Sequence, residues 1–212
     1  MKKEKKQIII KTSIIVLETV AGLLILYLVA LPFYPTVKYK LNYKEEVASD
    51  YRDEQVLIEQ TTAIRNFLPQ AEYDVSPNRV IIPRIGVNAP IVESASSEYG
   101  LSKGSWLVPD TSTPDKGGNT VITGHRFKYL PPNNLTFYLF HKLEVGDLFS
   151  VIWHNEDYYY RIKEVKIVDK TELSIMEQTS EPVITLFTCH PIYSTEQRLV
   201  VVGELVEQSE EI

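Results

Sequence analysis

Cysteine is scarce in this sequence. The 212 residues include one, Cys189, so the chain cannot form an internal disulfide, and the C-x-x-C spacings that hold structural zinc are absent. Basic residues are also too few for a nucleic-acid-binding surface, since 22 Lys and Arg stand against 28 Asp and Glu. We therefore expect neither a structural zinc site nor a nucleic-acid partner. With 44% hydrophobic residues, the chain is typical of a globular protein with a sizeable core.

An apolar run near the N-terminus is the first feature that is present. It extends from Ile14 to Leu31, contains one charge, Glu18, and has the roughly 18 to 20 residues that a helix needs to cross a bilayer. The lysines ahead of it favour a cytoplasmic N-terminus and an extracellular remainder. A cleaved signal peptide is the alternative, although the apolar core is longer than usual and no small-x-small cleavage site follows. Pro32 and Pro35 predict the end of the helix.

A charged segment without glycine comes next and predicts a stalk helix that ends at Pro69. One face of this helix carries a weak apolar stripe, formed by Leu57, Thr61, Ile64 and Leu68. We interpret the segment as a solvated spacer, and the stripe leaves open packing onto the downstream domain or onto a second copy. The predicted organisation is a cytoplasmic tail (1–12), a transmembrane helix (13–33), an extracellular stalk (34–72) and a β-rich domain (73–212).

From Arg79 onward the pattern changes to short runs of β-branched and aromatic residues separated by turn residues. These runs are RVIIPRI, NTVITG, LFSVIWH, YYYRIKEVKIV, PVITLFTC and RLVVVGELV. They lie too close together for a series of βαβ units, so the sequence predicts a mainly β fold, a closed or nearly closed barrel with short helices. In the strand that contains Tyr158 to Tyr160 we expect packed and exposed rings to alternate.

Two of the runs place a cysteine opposite an arginine. Cys189 ends the run that begins at Val183, and Arg198 opens the next run after a short loop, which predicts an antiparallel pair. Directly opposed residues share one face of a sheet, with Cβ atoms roughly 5 Å apart. A nearby cation lowers the pKa of a thiol, and a planar guanidinium suits an oxygen that becomes negative in acyl transfer. The pair therefore indicates a thiol acyl-transfer site.

Such a site also needs a proton carrier, which is usually histidine. His125 follows a glycine at the end of an apolar strand, where a side chain reaches the rim of a sheet, and we expect it to be the proton carrier. His190 adjoins the cysteine, but neighbours in a strand point to opposite faces, so we expect it not to reach the sulfur. His141 and His154 are assigned to structure or surface. A lone cysteine is often a buried core residue, and that alternative stays open for Cys189.

Taken together, these motifs resemble the sortase family of transpeptidases. The resemblance is carried by TLFTC, by Arg198 in QRLVVVGEL and by TGHR upstream, and it extends to RVIIPRIGVNAPIV, GNTVITGHRF and LEVGDLFSVIW. It implies a β-barrel of about eight strands. It also implies that residues 73–212 form a catalytic domain, held at the outer face of a cell membrane by a single N-terminal helix.

The resemblance implies a role for individual residues. Cys189 would attack the Thr carbonyl of a sorting signal of Leu-Pro-x-Thr-Gly type, His125 would transfer the proton, and Arg198 would orient the substrate and stabilise the oxyanion. Thr188 is expected to help hold the substrate, and the loop at residues 169–181 to close over the signal. The reactive pair is expected to be thiolate and imidazolium. The acyl group of the surface protein would pass to an amine acceptor such as a peptidoglycan precursor.

The surroundings TCHP and STEQR resemble housekeeping sortases related to classes D and E. Pilin polymerases usually carry a lid with Asp-Pro followed by an aromatic residue, and this tripeptide does not occur in the sequence. A pilin-polymerising sortase, a non-catalytic membrane-tethered barrel and a hydrolase that releases its acyl group to water remain as alternatives. The sequence contains no evident acidic cluster of the calcium-binding kind, so we expect no metal and no other cofactor.

Overall fold

The computed structural model describes residues 2–42, 51–68 and 78–206. The predicted helix stop at Pro69 and the predicted start of the β domain at residue 73 lie outside the described residues. The N-terminal helices are α1 (Lys2–Ala30), a 3-10 turn (Leu31–Phe33), α2 (Tyr34–Asn42) and α3 (Glu54–Phe67).

The N-terminal helical path is long and apolar enough over Lys5–Leu41 to cross a membrane, by length and composition. The helix α1 ends at Ala30, just before Pro32, which confirms the predicted end, and further helical segments continue to Asn42. Pro32 and Pro35 each lie in the first turn of a helical segment, where proline is tolerated because its missing N–H would have no helical partner. The hydroxyl of Tyr138 donates to the Pro32 carbonyl oxygen at 3.0 Å, so the 3-10 turn after α1 contacts the β domain.

The helix α3 lies on the β domain, which decides between the alternatives that the apolar stripe left open. Leu57 is 2% exposed and packs against Leu148 and Tyr159. The Thr61 hydroxyl, also fully buried, forms a hydrogen bond of 2.7 Å with the Ser150 hydroxyl. The stripe therefore covers the outer face of the strands beneath it.

Eight strands form a closed barrel in the order β1-β2-β3-β4-β7-β8-β6-β5, and β5 pairs back with β1. The strands are β1 (Arg79–Ile82), β2 (Val87–Glu93), β3 (Ser105–Leu107), β4 (Asn119–Thr123), β5 (Leu148–Trp153), β6 (Glu156–Asp169), β7 (Val183–His190) and β8 (Gln197–Leu205), with α4 (Ser97–Lys103) between β2 and β3. The pairs β2–β3 and β4–β7 are parallel and the others are antiparallel. The predicted mainly β, closed barrel is confirmed.

The barrel interior is packed with aliphatic and aromatic side chains. Phe149 and Tyr160 stack with ring centroids 5.5 Å apart, and a Cβ added at Gly203 would lie 2.7 Å from the Phe149 ring. The expected alternation of packed and exposed rings along this strand is wrong for Tyr159. That ring faces outward but is 6% exposed, because α3 covers it.

A buried ion pair joins the start of β5 to the segment after β1. Arg84 Nη1 lies 2.6 Å from Asp147 Oδ1, and the two side chains are 2% and 0% exposed. Glu144 accepts from Arg84 Nη2 at 2.7 Å, and Arg52, just before α3, lies 3.3 Å from Glu144 and 3.6 Å from Asp147. A buried charge is costly without its partner, so this network helps to fix the N-terminal segment on the barrel.

Candidate active site

Cys189 and Arg198 lie directly opposite each other in the antiparallel pair of β7 and β8, as the loop length predicts. Opposed residues project on one face, with Cβ atoms roughly 5 Å apart. Cys189 is partly exposed at the end of its strand. This exposure disfavours the alternative in which the thiol is a fully buried core group.

Two carbonyl groups of its own loop hold the Arg198 side chain. Its Nη1 donates to the carbonyl oxygens of Thr195 and Gln197, both at 2.9 Å. A guanidinium has five N–H donors, so these bonds orient the group and leave further donors for a ligand. The guanidinium can therefore offer hydrogen bonds to an oxygen that carries negative charge.

His125 reaches the same edge of the barrel from β4. This strand pairs in parallel with β7, and the last pair in the register is Thr123 with Phe187. His125 lies two residues beyond Thr123, and Cys189 lies two residues beyond Phe187. The two segments therefore run side by side beyond this last pair. The Gly124 N–H donates to the Phe187 carbonyl at 3.3 Å and continues the pairing toward the site.

Hydrogen bonds fix the backbone on both sides of His125. The Thr188 hydroxyl, 1% exposed, donates to the Gly124 carbonyl at 2.7 Å, and the Phe137 N–H donates to the His125 carbonyl at 2.9 Å. A Cβ added at Gly124 would lie 3.1 Å from the Phe137 ring, so a larger residue there would push on this ring. The role of Thr188 in holding substrate stays a prediction. Its hydroxyl hydrogen is already donated to the Gly124 carbonyl.

Burial lowers the pKa of His125, and the positive charge of Lys128 lowers it further. A lowered pKa favours the neutral imidazole in the resting protein, whereas the resemblance implies an imidazolium beside a thiolate. An imidazolium at this position would therefore need a neighbouring negative charge, and Cys189 is placed to supply one.

The residue after His125 is a buried cation for which the sequence motifs predict no role. Arg126 is 4% exposed, and its Nη2 lies 3.0 Å from Nδ1 of His141. Burial lowers the pKa of Arg126 to about 10, and Tyr138 and Cys189 oppose that shift electrostatically. Burial, followed by the charge of Arg126, lowers the pKa of His141 to about 4 and also lowers that of His190. His141, expected to be structural, thus contacts a charged group of the site.

The candidate site is not where the described cavities lie. Two cavities, of about 420 and 530 Å³, are found at α2 with its neighbouring loops and at the end of α3, and neither is lined by Cys189, His125 or Arg198. His154 is exposed in the turn between β5 and β6, as expected for a surface residue. The site is therefore located by strand register and not by cavity volume.

The protein is thus a closed eight-stranded β-barrel with a candidate cysteine site at the end of its strands. In this site a thiol and a guanidinium lie opposite each other at one edge of the barrel. The sortase domain family model matches residues 80–206. The chain therefore belongs to the sortase family, whose members are cysteine transpeptidases. This confirms the family that the sequence motifs resemble.

Individual sortases are similar to this chain over much of its length. Sortase A of Listeria monocytogenes is 26% identical over 179 residues, which are 84% of this chain and 77% of the relative. Sortase D of Bacillus subtilis is 31% identical over 129 residues, 59% of this chain and 61% of the relative. The structure of Sortase C2 from Group B Streptococcus Pilus Island 1 matches with a TM-score of 0.57 and 30% identity, and covers 72% of this chain and 97% of that one.

Proposed function

We propose that this protein is a membrane-anchored sortase that cleaves a sorting signal of Leu-Pro-x-Thr-Gly type between Thr and Gly. It transfers the new Thr carbonyl to an amine acceptor of the cell wall, such as a peptidoglycan precursor. One observation carries the proposal, namely that the strand register brings Cys189 opposite Arg198 and beside the chain that bears His125. The match to the sortase domain supports the same chemistry at the level of the family.

In the first half-reaction the thiolate of Cys189 attacks the Thr carbonyl carbon, and the carbonyl oxygen becomes negative. Arg198 donates hydrogen bonds to this oxyanion, which is the charge that a fixed guanidinium stabilises most effectively. The tetrahedral intermediate collapses with cleavage of the C–N bond. The protonated His125 gives its proton to the departing Gly amine. The acyl group remains on Cys189 as a thioester.

In the second half-reaction an amine attacks the thioester carbonyl. His125, now neutral, accepts the proton that the amine loses as the new amide forms. The C–S bond breaks, and Cys189 returns to the thiolate. The lowered pKa of His125 keeps the imidazole neutral before the amine attacks, so its ring nitrogen is free to accept this proton.

Membrane anchoring is the second part of the proposal. The helix over Lys5–Leu41 is long and apolar enough to cross a bilayer, and the lysines ahead of the apolar run favour a cytoplasmic N-terminus. The catalytic barrel then lies outside the cell. The bond between the Tyr138 hydroxyl and the Pro32 carbonyl would hold the barrel close to the membrane surface.

The test is mass spectrometry of the full-length protein in detergent, incubated with a library of Leu-Pro-x-Thr-Gly-type peptides with and without an amine acceptor. We expect a mass increase on Cys189 equal to the peptide acyl group, and an amide product that forms with the amine. The peptide that reacts would identify the sorting signal.

Cys189→Ala and His125→Ala are the catalytic controls, and His154→Ala is the matched control for replacing a histidine elsewhere on the barrel. An acid product formed at the same rate with and without amine would make the protein a hydrolase. Reaction with a lysine side chain in preference to an N-terminal glycine would favour the pilin-polymerising alternative. A Cys189 that stays unmodified across the library would favour the non-catalytic barrel and overturn the proposal.

A further inference from the structure

Among the residues that the structure describes, the buried cation Arg126 has no acidic partner. It is 4% exposed, and one of its nitrogens, Nη2, has a neutral or cationic neighbour, the imidazole of His141 at 3.0 Å. Within residues 2–42, 51–68 and 78–206, its Nε and Nη1 have no hydrogen-bond partner and no carboxylate forms an ion pair with it. A buried charge left in this state is costly, so its retention calls for a compensating negative charge.

Cys189 and Tyr138 are the groups whose negative forms interact favourably with Arg126. Phenols ordinarily ionise only in alkaline solution, whereas thiols ionise close to neutrality. Of the two, the thiol is therefore the group that can supply an anion at physiological pH. The remaining titratable or charged groups around the cysteine and arginine come from four elements, namely His125 and Lys128 after β4, His141 and Lys142 in the 3-10 turn, His190 and Tyr193 at the end of β7 and in its loop, and Arg198 on β8.

Two histidines of this cluster, His141 and His190, are poor competitors for the role of cation. Burial and the charge of Arg126 lower the pKa of His141 to about 4, and the same two causes lower the pKa of His190. Both rings are therefore neutral near pH 7. On the β4 side of Cys189 the guanidinium of Arg126 is therefore a buried fixed positive charge, whereas Lys128 is exposed, and Arg198 lies across from Cys189 on β8.

We propose that Arg126 is a positioning residue whose buried guanidinium holds Cys189 in its thiolate form. The inference rests on the proposed function, because it concerns the state of the nucleophile in that reaction. Arg126 and Arg198 then have different roles. The Nη1 of Arg198 is bound to loop carbonyls, and its other donors are available to substrate. One cation supports the resting thiolate, and the other supports the oxyanion that forms during attack.

The experiment measures alkylation of Cys189 by iodoacetamide as a function of pH, in the full-length protein in detergent. Cys189 is the one cysteine of the chain, so the rate reports this thiol alone. Removal of the charge in Arg126→Gln is expected to move the pH midpoint of alkylation upward by about one unit. Arg126→Lys keeps the charge and is expected to stay closer to the wild type. Arg79→Gln, which removes a half-buried arginine on β1, is the matched control and should leave the midpoint unchanged.

A midpoint that is the same in Arg126→Gln and in the wild type would overturn the proposal. A shift in Arg126→Lys as large as that in Arg126→Gln would overturn it as well, because packing and not charge would then be responsible. Iodoacetamide requires no peptide, so this readout is independent of whether the transpeptidase assay succeeds.

A second measurement keeps Arg126 intact, in case its substitution prevents folding. Cys189→Asp and Cys189→Asn have similar shapes but differ in charge, and both are made in an Arg198→Gln background so that Arg198 cannot supply the attraction. At pH 7 the Asp variant is expected to melt higher than the Asn variant by about 2 °C or more. Equal melting temperatures, or a lower one for the Asp variant, would contradict a stabilising interaction with Arg126.

Discussion

The hydrogen bond from the Thr188 hydroxyl to the Gly124 carbonyl joins the strand of the cysteine to the strand of the histidine. Its length is 2.7 Å, and Thr188 is 1% exposed. Thr188→Val keeps the shape of the side chain and removes the donor, so the carbonyl next to His125 loses its partner. A buried acceptor without a partner costs about 1–3 kcal/mol. We therefore expect the melting temperature to fall by about 2–12 °C.

The effect on activity should exceed the effect on stability. The lost bond anchors the peptide group that precedes His125, and a displacement of a catalytic group by about 1 Å can cost roughly a hundred-fold in rate. We expect Thr188→Val to lower kcat by about ten-fold to a hundred-fold with little change in KM. Thr188→Ser restores the hydroxyl and should recover most of the kcat. The assay is steady-state transpeptidation of a labelled peptide, with thermal unfolding measured in parallel.

Thr123→Val is the matched control, because the Thr123 hydroxyl makes the same kind of bond between the same two strands, to the Phe187 carbonyl at 2.9 Å. That carbonyl also accepts from the Gly124 N–H, so it keeps a partner. We expect the control to retain kcat within about two-fold of the wild type. The reasoning is refuted if Thr188→Val and Thr123→Val lower kcat equally. A higher KM with unchanged kcat in Thr188→Val would instead assign this residue to substrate binding.

Two further predictions concern single charges. Lys128→Gln removes a cation that, after burial, is the second cause of the lowered His125 pKa. The midpoint of His125 in an NMR titration should therefore rise by about a few tenths of a unit, and this rise should become smaller in high salt. An unchanged midpoint at low salt would contradict the prediction. Asp147→Asn leaves the buried Arg84 without its closest anion and should lower the free energy of unfolding in urea by about 3 kcal/mol. The exposed partner tests the role of burial, since Glu144→Gln should cost less than about 1 kcal/mol, and equal losses would be inconsistent with it.

Much of the barrel could be predicted because its strands are short, β-branched and separated by clear turn signals. The pairing of Cys189 with Arg198 also followed from local information, since a loop that connects antiparallel neighbours nearly fixes which residues face each other. His125 was predicted from its place after an apolar strand and a glycine. The structure adds a packing role for this glycine, because a Cβ there would lie 3.1 Å from the Phe137 ring and would force that ring to shift.

The weak apolar stripe of α3 did not predict where this helix packs, but the sequence of β5, the strand beneath it, indicated that something covers it. All six residues of β5, Leu148–Trp153, are buried, and the run LFSVIW has no polar alternation beyond one serine. A strand with one solvated face alternates between apolar and polar residues, whereas a continuous apolar run indicates cover on both faces. The core covers one face of β5, and α3 with Leu57 and Thr61 covers the other.

The burial of Arg126 could not be predicted from the sequence, because it depends on contacts between segments that are distant in sequence. The motif TGHR places it next to His125, and alternation along a strand would direct it away from the thiol. The chain has left β4 by that point, so alternation no longer applies, and the 3-10 turn that carries His141 closes over the guanidinium. A basic residue within an otherwise apolar strand end was the one available signal, since such a residue is seldom buried without a partner.

The charges at the proposed site divide into groups that titrate near neutral pH and groups that do not. Arg126 keeps its proton at pH 7 even though burial lowers its pKa to about 10, and the lowered pKa values of His141 and His190 make those rings neutral. The electrostatic support that we propose for a Cys189 thiolate would therefore be constant across the pH range in which the enzyme would work. His125 is then the group whose protonation changes during the reaction, so a pH profile of transpeptidation should report the coupled titration of His125 and Cys189 with little contribution from the cations around them.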